Sequence, residues 1–135
     1  MDNSVPHNVI EFINYTSAKL EEIKINDARL NAELMLCEVL KNTRVELYLN
    51  FEKPLTKEEI QEFKSMLQRR LKHEPLQHIL GRTNFYGYDF IINSKVLIPR
   101  SETELLAEKI IEDVRSNSLK KVSAFEIGSG SGCLS

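Results

Sequence analysis

Tryptophan is absent from these 135 residues, and cysteine, proline and glycine are scarce, at 2, 4 and 5 copies. So little proline and glycine excludes collagen-like or Pro-rich low complexity. Cys37 and Cys133 stand far apart, with no Cys-x-x-Cys and no histidine at ligand spacing. That argues against zinc and against a disulfide framework; two free thiols in a cytoplasmic protein are the expectation. Long apolar runs are missing too. None approaches the roughly 18 residues of a membrane-spanning helix, and Met1 to Ile10 is too polar for a signal peptide. Neither charge sign is in excess, with 18 Lys and Arg against 20 Asp and Glu. A protein held to nucleic acid through its phosphates would be more basic, so no direct nucleic-acid partner is expected, and no membrane. What is present is 41% hydrophobic and 28% charged residues, enough to bury a core and to exclude wholesale disorder.

The first 73 residues carry helical periodicity. Val9, Ile13, Thr16, Leu20 and Ile23 recur at steps of three and four, one stripe of an amphipathic helix. Asn26 or Asp27 can cap a second helix, in which Leu30, Leu34, Met35, Leu36, Cys37, Val39 and Leu40 leave little polar face; this helix should be central. Thr43 with Glu46, and Thr56 with Glu59, are capping-box pairs that open two more. Ile60, Phe63, Leu67 and Leu71 mark the fourth, which ends before Pro75 because a residue preceding proline avoids helical torsions. Four short helices with short loops predict a bundle.

After Pro75 the pattern changes. Leu76 to Leu80 reads as one more helical turn closed by Gly81. Thr83 to Tyr86 and Tyr88 to Ile92, broken at Gly87, are aromatic and β-branched, as in a hairpin. Ser101 with Glu104 is a third capping-box pair, opening a helix near 102–116 that Asn117 and Ser118 stop. Lys121 to Ile127 then reads as a buried strand running into Gly128-Ser129-Gly130-Ser131-Gly132. The expected fold class is therefore mainly α: a helical bundle over 1–73, a connector with a β-hairpin over 74–100, and from 101 to 135 the first helix and strand of an α/β domain.

The glycine run is the one motif with a chemical meaning. Glycines permit positive φ and let a ligand approach the backbone without a Cβ in the way. Open α/β sheets place ligands at the carboxyl ends of their strands, where Glu126 can meet an ammonium or a ribose hydroxyl. The spacing departs from the dinucleotide fingerprint Gly-x-Gly-x-x-Gly, and no Lys-Ser or Lys-Thr follows as in a P-loop, so a nucleotide-binding oxidoreductase is disfavoured. His7, His73 and His78 share no metal-like spacing, and Glu102, Glu104 and Glu108 read as the acidic first turns of a helix. Lys64, Arg69, Arg70 and Lys72 cluster late in the fourth helix. They form either a solvated face suited to the helix dipole or a docking patch for an acidic partner.

Four segments are more specific. Glu74-Pro75-Leu76-Gln77-His78-Ile79-Leu80-Gly81, Phe85-Tyr86-Gly87 with Phe90, Val96-Leu97-Ile98-Pro99-Arg100-Ser101-Glu102-Thr103-Glu104-Leu105-Leu106, and Phe125-Glu126-Ile127 leading into the glycine run resemble the HemK/PrmC family. These are protein-(glutamine-N5) methyltransferases of class I peptide-chain release factors. Asp27-Ala28-Arg29-Leu30-Asn31-Ala32-Glu33-Leu34 resembles the second helix of their N-terminal domain. Ser101 departs from the proline usual in the family, tolerably, since serine caps helices.

The resemblance implies a helical domain that helps grip the release factor, a hairpin connector, and a Rossmann-like domain using S-adenosylmethionine to methylate the Gln amide of a Gly-Gly-Gln motif. It assigns Gly128, Ser129, Gly130, Ser131 and Gly132 to the first cofactor loop, with Glu126 as the acidic residue before it. Phe85 and Arg100 are placed on the wall of the substrate and cofactor cleft, with hairpin core and a tie between hairpin and helix as their plainer roles. The family's catalytic Asn-Pro-Pro-Tyr and its ribose-binding acid have no counterpart in these residues, so no catalytic residue is assigned. The expectation is an inactive portion that binds S-adenosylmethionine weakly or not at all. The alternative is a stand-alone helical module that docks a release factor or another protein without chemistry.

Overall fold

A computed structural model describes residues 6–117, 121, 123 and 125–134. Five helices come first: α1 (Val9–Glu22), α2 (Ala28–Leu40), α3 (Arg44–Leu49), α4 (Lys57–Leu71) and α5 (Leu76–Leu80). A hairpin of β1 (Arg82–Phe85) and β2 (Tyr88–Ile91) follows, then α6 (Ser101–Ser116). The chain divides into two compact units between Leu80 and Gly81.

In the helical unit, α2 packs against α1, α3, α4 and α5, the central place its apolar composition predicts. Ala28, Ala32, Met35, Leu36 and Val39 face inward, but Leu30 is partly exposed, on the far side of the stripe. Val9, Ile13 and Leu20 of α1 are fully buried, as is Phe63 of α4. Phe12, which the stripe at three and four omitted, is buried as well and meets Phe63 edge-to-face with centroids 5.5 Å apart.

The helix starts follow local chemistry in three cases and depart from it in two. Thr43 with Glu46 and Thr56 with Glu59 form complete reciprocal capping boxes. Asn8 caps α1, its Oδ1 accepting from the Glu11 N–H at 3.0 Å. The next donors of α1 are met by the α3–α4 loop, Val9 N–H donating to Lys53 O and Ile10 N–H to Phe51 O. At α2 the cap position is Asp27, at φ 53°, and its side chain makes no cap bond. Asn31 reaches back instead, its Nδ2 donating to the carbonyls of Asn26 and Asp27. The third box does not form: Ser101 is already helical, Arg100 is the cap residue, and Glu104 is drawn elsewhere.

In the second unit the strands pair antiparallel from Arg82↔Ile91 to Phe85↔Tyr88. The two-residue turn Tyr86-Gly87 has φ of 51° and 82°, the left-handed pair whose twist suits a tight hairpin. Helix α6 buries none of its residues. Beyond it, Lys121, Ser123 and Phe125–Ile127 show no strand pairing, and Phe125 and Ile127 are 91% and 87% exposed. The expected buried strand is thus not formed at these residues, because a ladder needs a neighbouring strand to satisfy its N–H and C=O groups. Val122 and Ala124 lie outside the described residues.

Candidate functional site

The residues assigned to cofactor binding are built from backbone. Gly128, Gly130 and Gly132 all sit at positive φ, 76°, 57° and 75°. Gly132 N–H donates to Ser129 O at 2.8 Å and closes a turn. A Cβ at Gly128 or Gly132 would meet nothing within 4 Å. Torsion rather than crowding therefore demands glycine, and the backbone stays open to close approach. Glu126 is exposed at the entrance of this loop.

A cavity of about 200 Å³ opens beside the loop's far end, lined by Phe85, Tyr88, Phe90, Ile110, Cys133 and Leu134 among others. Phe85 is 3% exposed and packs edge-to-face on Phe90, centroids 6.0 Å apart, so its core role and its place on a cavity wall coincide. Among the described residues neither cysteine is in a disulfide; Cys37 is buried in the helical unit and Cys133 is partly exposed on this cavity. Arg100 is exposed at the start of α6 and does not line the cavity, and neither does Glu126. The structure brings together Phe85 and the residues that follow Gly132 on one cavity, which Arg100 and Glu126 do not line.

Two residues hold this arrangement: Asn84, not singled out from the sequence, and Glu104, expected there as a capping acid of α6. Glu104 Oε1 accepts from the Tyr86 N–H at 2.7 Å, tying the hairpin turn to the first turn of α6. Asn84 Oδ1 accepts from the Gly87 N–H at 3.2 Å, while its Nδ2 donates to Asp89 at 3.0 Å. The hairpin signal Asn-x-x-Gly was visible at 84 and 87. The destination of Glu104 was not.

In the helical unit two arginines of α4 are committed internally. Arg69 forks onto Glu74 and also donates to His78 O at 3.2 Å. Arg70 donates to Asn31 Oδ1 at 2.7 Å and to Glu74 O at 2.9 Å. Arg69 and Arg70 of the basic cluster thus tie α4, α5 and α2 together, a role that neither a solvated face nor a docking patch anticipates. The Arg69 guanidinium holds the Glu74 carboxyl below its ordinary value of 4.5.

A second junction centres on Glu33, 1% exposed. Arg29 Nε donates to its Oε1 at 3.1 Å, Tyr48 Oη to Oε1 at 2.6 Å, and Arg44 Nη2 to Oε2 at 2.7 Å. Burial acts to raise the Glu33 pKa, yet the bonds from Tyr48 and Arg44 and the charges of Arg44 and Arg29 outweigh it and hold it below 4.5.

Capped helices around a central α2 make up the first unit, and a hairpin, an amphipathic helix and a glycine turn follow in the second. The PrmC N-terminal domain family matches residues 11–81, slightly more than half of the chain. The chain belongs to this family. It is 42% identical over 129 residues to the release factor glutamine methyltransferase of Chlorobaculum tepidum, covering 93% of this chain and 44% of that protein. The protein of the same name from Geobacter sulfurreducens is 40% identical over 122 residues, covering 90% and 42%. A bifunctional methyltransferase of Rickettsia bellii is 33% identical over 153 residues, covering 96% and 28%. The chain spans less than half the length of these relatives.

Proposed function

We propose that these residues are the substrate-recognition module and the opening of the methyl-transfer domain of a cytoplasmic release-factor glutamine methyltransferase. The methyl acceptor is the side-chain amide nitrogen of the Gln in the Gly-Gly-Gln motif of class I release factors. The observation that carries this reading is the likeness to a protein of that name across 93% of the chain, running through both units rather than the helical one alone.

S-adenosylmethionine supplies an electrophilic methyl group when bound. The described residues fit one wall of its site. Gly128 to Gly132 offer an open backbone at torsions only glycine adopts freely, and Glu126 stands exposed at the loop entrance. Phe85, fixed by the Phe90 contact and the Tyr86–Glu104 bond, is assigned to the cleft wall, where its ring excludes water. Arg100 is assigned to the same wall from the start of α6. An amide nitrogen is a poor nucleophile, so the barrier falls mainly through positioning and through hydrogen bonds to the NH₂ group. The sequence contains no Asn-Pro-Pro-Tyr to make those bonds, and we assign no catalytic residue within it.

The test is methylation of a purified class I release factor by the gene product that contains this segment. Peptide mass spectrometry should find one added methyl group on the Gln of Gly-Gly-Gln. An unmodified Gln, or a methyl group on another residue, refutes the reading. The 135-residue chain alone should leave the Gln unmodified.

A further inference from the structure

Residues 74 to 80 lie between the helical boundary that periodicity places at 73 and the division between units at Leu80. Most of them form α5, whose five residues are too few to make a stable helix alone. Its apolar hold on the rest of the unit is small. Of its residues only Ile79 is buried, and Ile79 stands outside the core cluster of the helical unit. Leu76 packs against that cluster but remains partly exposed.

Two consecutive arginines in the last turn of α4 add a polar hold. Arg69 spans the segment: Nε donates to Glu74 Oε2 at 2.8 Å, and Nη2 donates both to Glu74 Oε1 and to His78 O, within α5, at 3.2 Å. Arg70 ties the start of the segment to α2, Nη1 donating to Glu74 O at 2.9 Å and Nε to Asn31 Oδ1 at 2.7 Å. Glu74 is thus gripped at its carboxylate and at its carbonyl by neighbouring side chains. The clasp is not sealed from water, since the Arg69 and Glu74 side chains are 43% and 30% exposed. Water can take over such bonds at little cost, and opening them leaves the core contacts of α1, α2 and α4 in place.

We infer that residues 74 to 80 are a latch, clasped to the helical unit by Arg69 and Arg70 through Glu74, which opens while α1, α2 and α4 stay folded. Closed, the latch belongs to the helical unit and the second unit begins directly at Gly81. Open, it passes these residues to the connection between the units, which gains a reach of up to about 23 Å of extended chain. The end of the helical unit is then a movable boundary, set by whether Glu74 is held.

The experiment is amide hydrogen exchange of the 135-residue chain, followed by nuclear magnetic resonance at two positions. One is Ile79, whose N–H donates to Pro75 O; the other is Met35, fully buried in α2. Ile79 should exchange at least about tenfold faster than Met35, because local opening costs less than global unfolding. Urea below the unfolding transition should accelerate Met35 and leave Ile79 nearly unchanged, since opening the latch exposes little surface. Glu33→Gln, which weakens the junction of α2 and α3, should likewise speed Met35 and not Ile79. Glu74→Gln and Arg69→Met should each speed Ile79 at least about fivefold, as loss of a hydrogen bond to a charged group does, with helical circular dichroism retained. Exchange at Ile79 as slow as at Met35, or accelerated in parallel with it by urea or by Glu33→Gln, makes α5 part of the cooperative core and overturns the latch. Loss of helical circular dichroism in Glu74→Gln or Arg69→Met does the same. Unchanged exchange at Ile79 in either of those variants overturns the arginine clasp. Methylation enters none of these readings, so the latch and the proposed activity fail separately.

Discussion

Glu33 is the buried carboxylate at which α2 and α3 are joined. Its carboxylate is buried, and three side chains from α2 and α3 converge on it. Replacing it with Gln removes the charge that Arg29 and Arg44 answer. The expected cost is about 2–4 kcal/mol, read by urea unfolding followed by circular dichroism. Because its folded pKa is depressed, the carboxylate contributes stability above its ordinary value of 4.5, and that contribution is lost as pH falls through the lower folded value. Glu74, held down by Arg69, acts with the same sign. In Glu33→Gln the acid-side fall in stability should be shallower than in the wild type, and an unchanged slope would show that Glu33 is not the group responsible. Thr16 is the opposite case. It is fully buried and among the described residues its Oγ1 has no hydrogen-bond partner, so Thr16→Val, of nearly equal shape, should raise stability by about 0.5–1 kcal/mol in the same unfolding measurement.

At the scale of elements, the hairpin turn and the α4–α5 junction carry the geometry. Gly87 has φ of 82°. Space for a Cβ exists there, so Gly87→Ala meets only the torsional cost of a left-handed residue, about 1–2 kcal/mol. The loss should appear in nuclear magnetic resonance as weakened cross-strand contacts between Phe85 and Tyr88, with the helices unaffected. Arg70→Ala leaves Asn31 Oδ1 and the Glu74 carbonyl without their donor and should lower stability by about 1–3 kcal/mol. A surface arginine on a solvated face would cost almost nothing, so the melt of this variant separates a structural junction from a solvated face.

At the scale of the molecule, the two units differ in how much they bury. The core of the helical unit joins α1, α2, α3 and α4 around Leu20, Met35, Leu36, Leu47 and Phe63. In the second unit α6 leaves Leu105, Leu106 and Ile110 63%, 51% and 49% exposed. Amide hydrogen exchange should therefore be slowest in α1, α2 and α4 and fast throughout α6, because local opening costs least where few apolar contacts are broken. Protection of α6 equal to that of α2 would contradict this. Titration of the 135-residue chain with S-adenosylmethionine should show very weak binding or none, since the proposed site at Gly128 to Gly132 is a single wall; micromolar affinity would overturn that expectation.

Wherever neighbours in sequence decide the structure, the residues alone sufficed. The boxes at Thr43 and Thr56, the hairpin split at Gly87, the end of α4 before Pro75 and the central place of α2 all follow from steric rules and periodicity acting over a few residues. The assignment to the PrmC family was legible in the same way, from the order and spacing of short segments. What remained for the tertiary structure was the choice among partners for charged and polar groups. Glu104 carries the same capping pattern as Glu46 and Glu59, yet it goes to the Tyr86 backbone because the hairpin brings an unmet N–H to it. Arg69 and Arg70 look like a solvated cationic turn until Glu74 and Asn31 are placed beside them. Glu33 becomes the centre of a junction only when α3 delivers Arg44 and Tyr48 from 11 and 15 residues away. Backbone torsion and apolar spacing are local and can be read along the chain, whereas a hydrogen bond or ion pair depends on which groups the fold brings within about 3 Å.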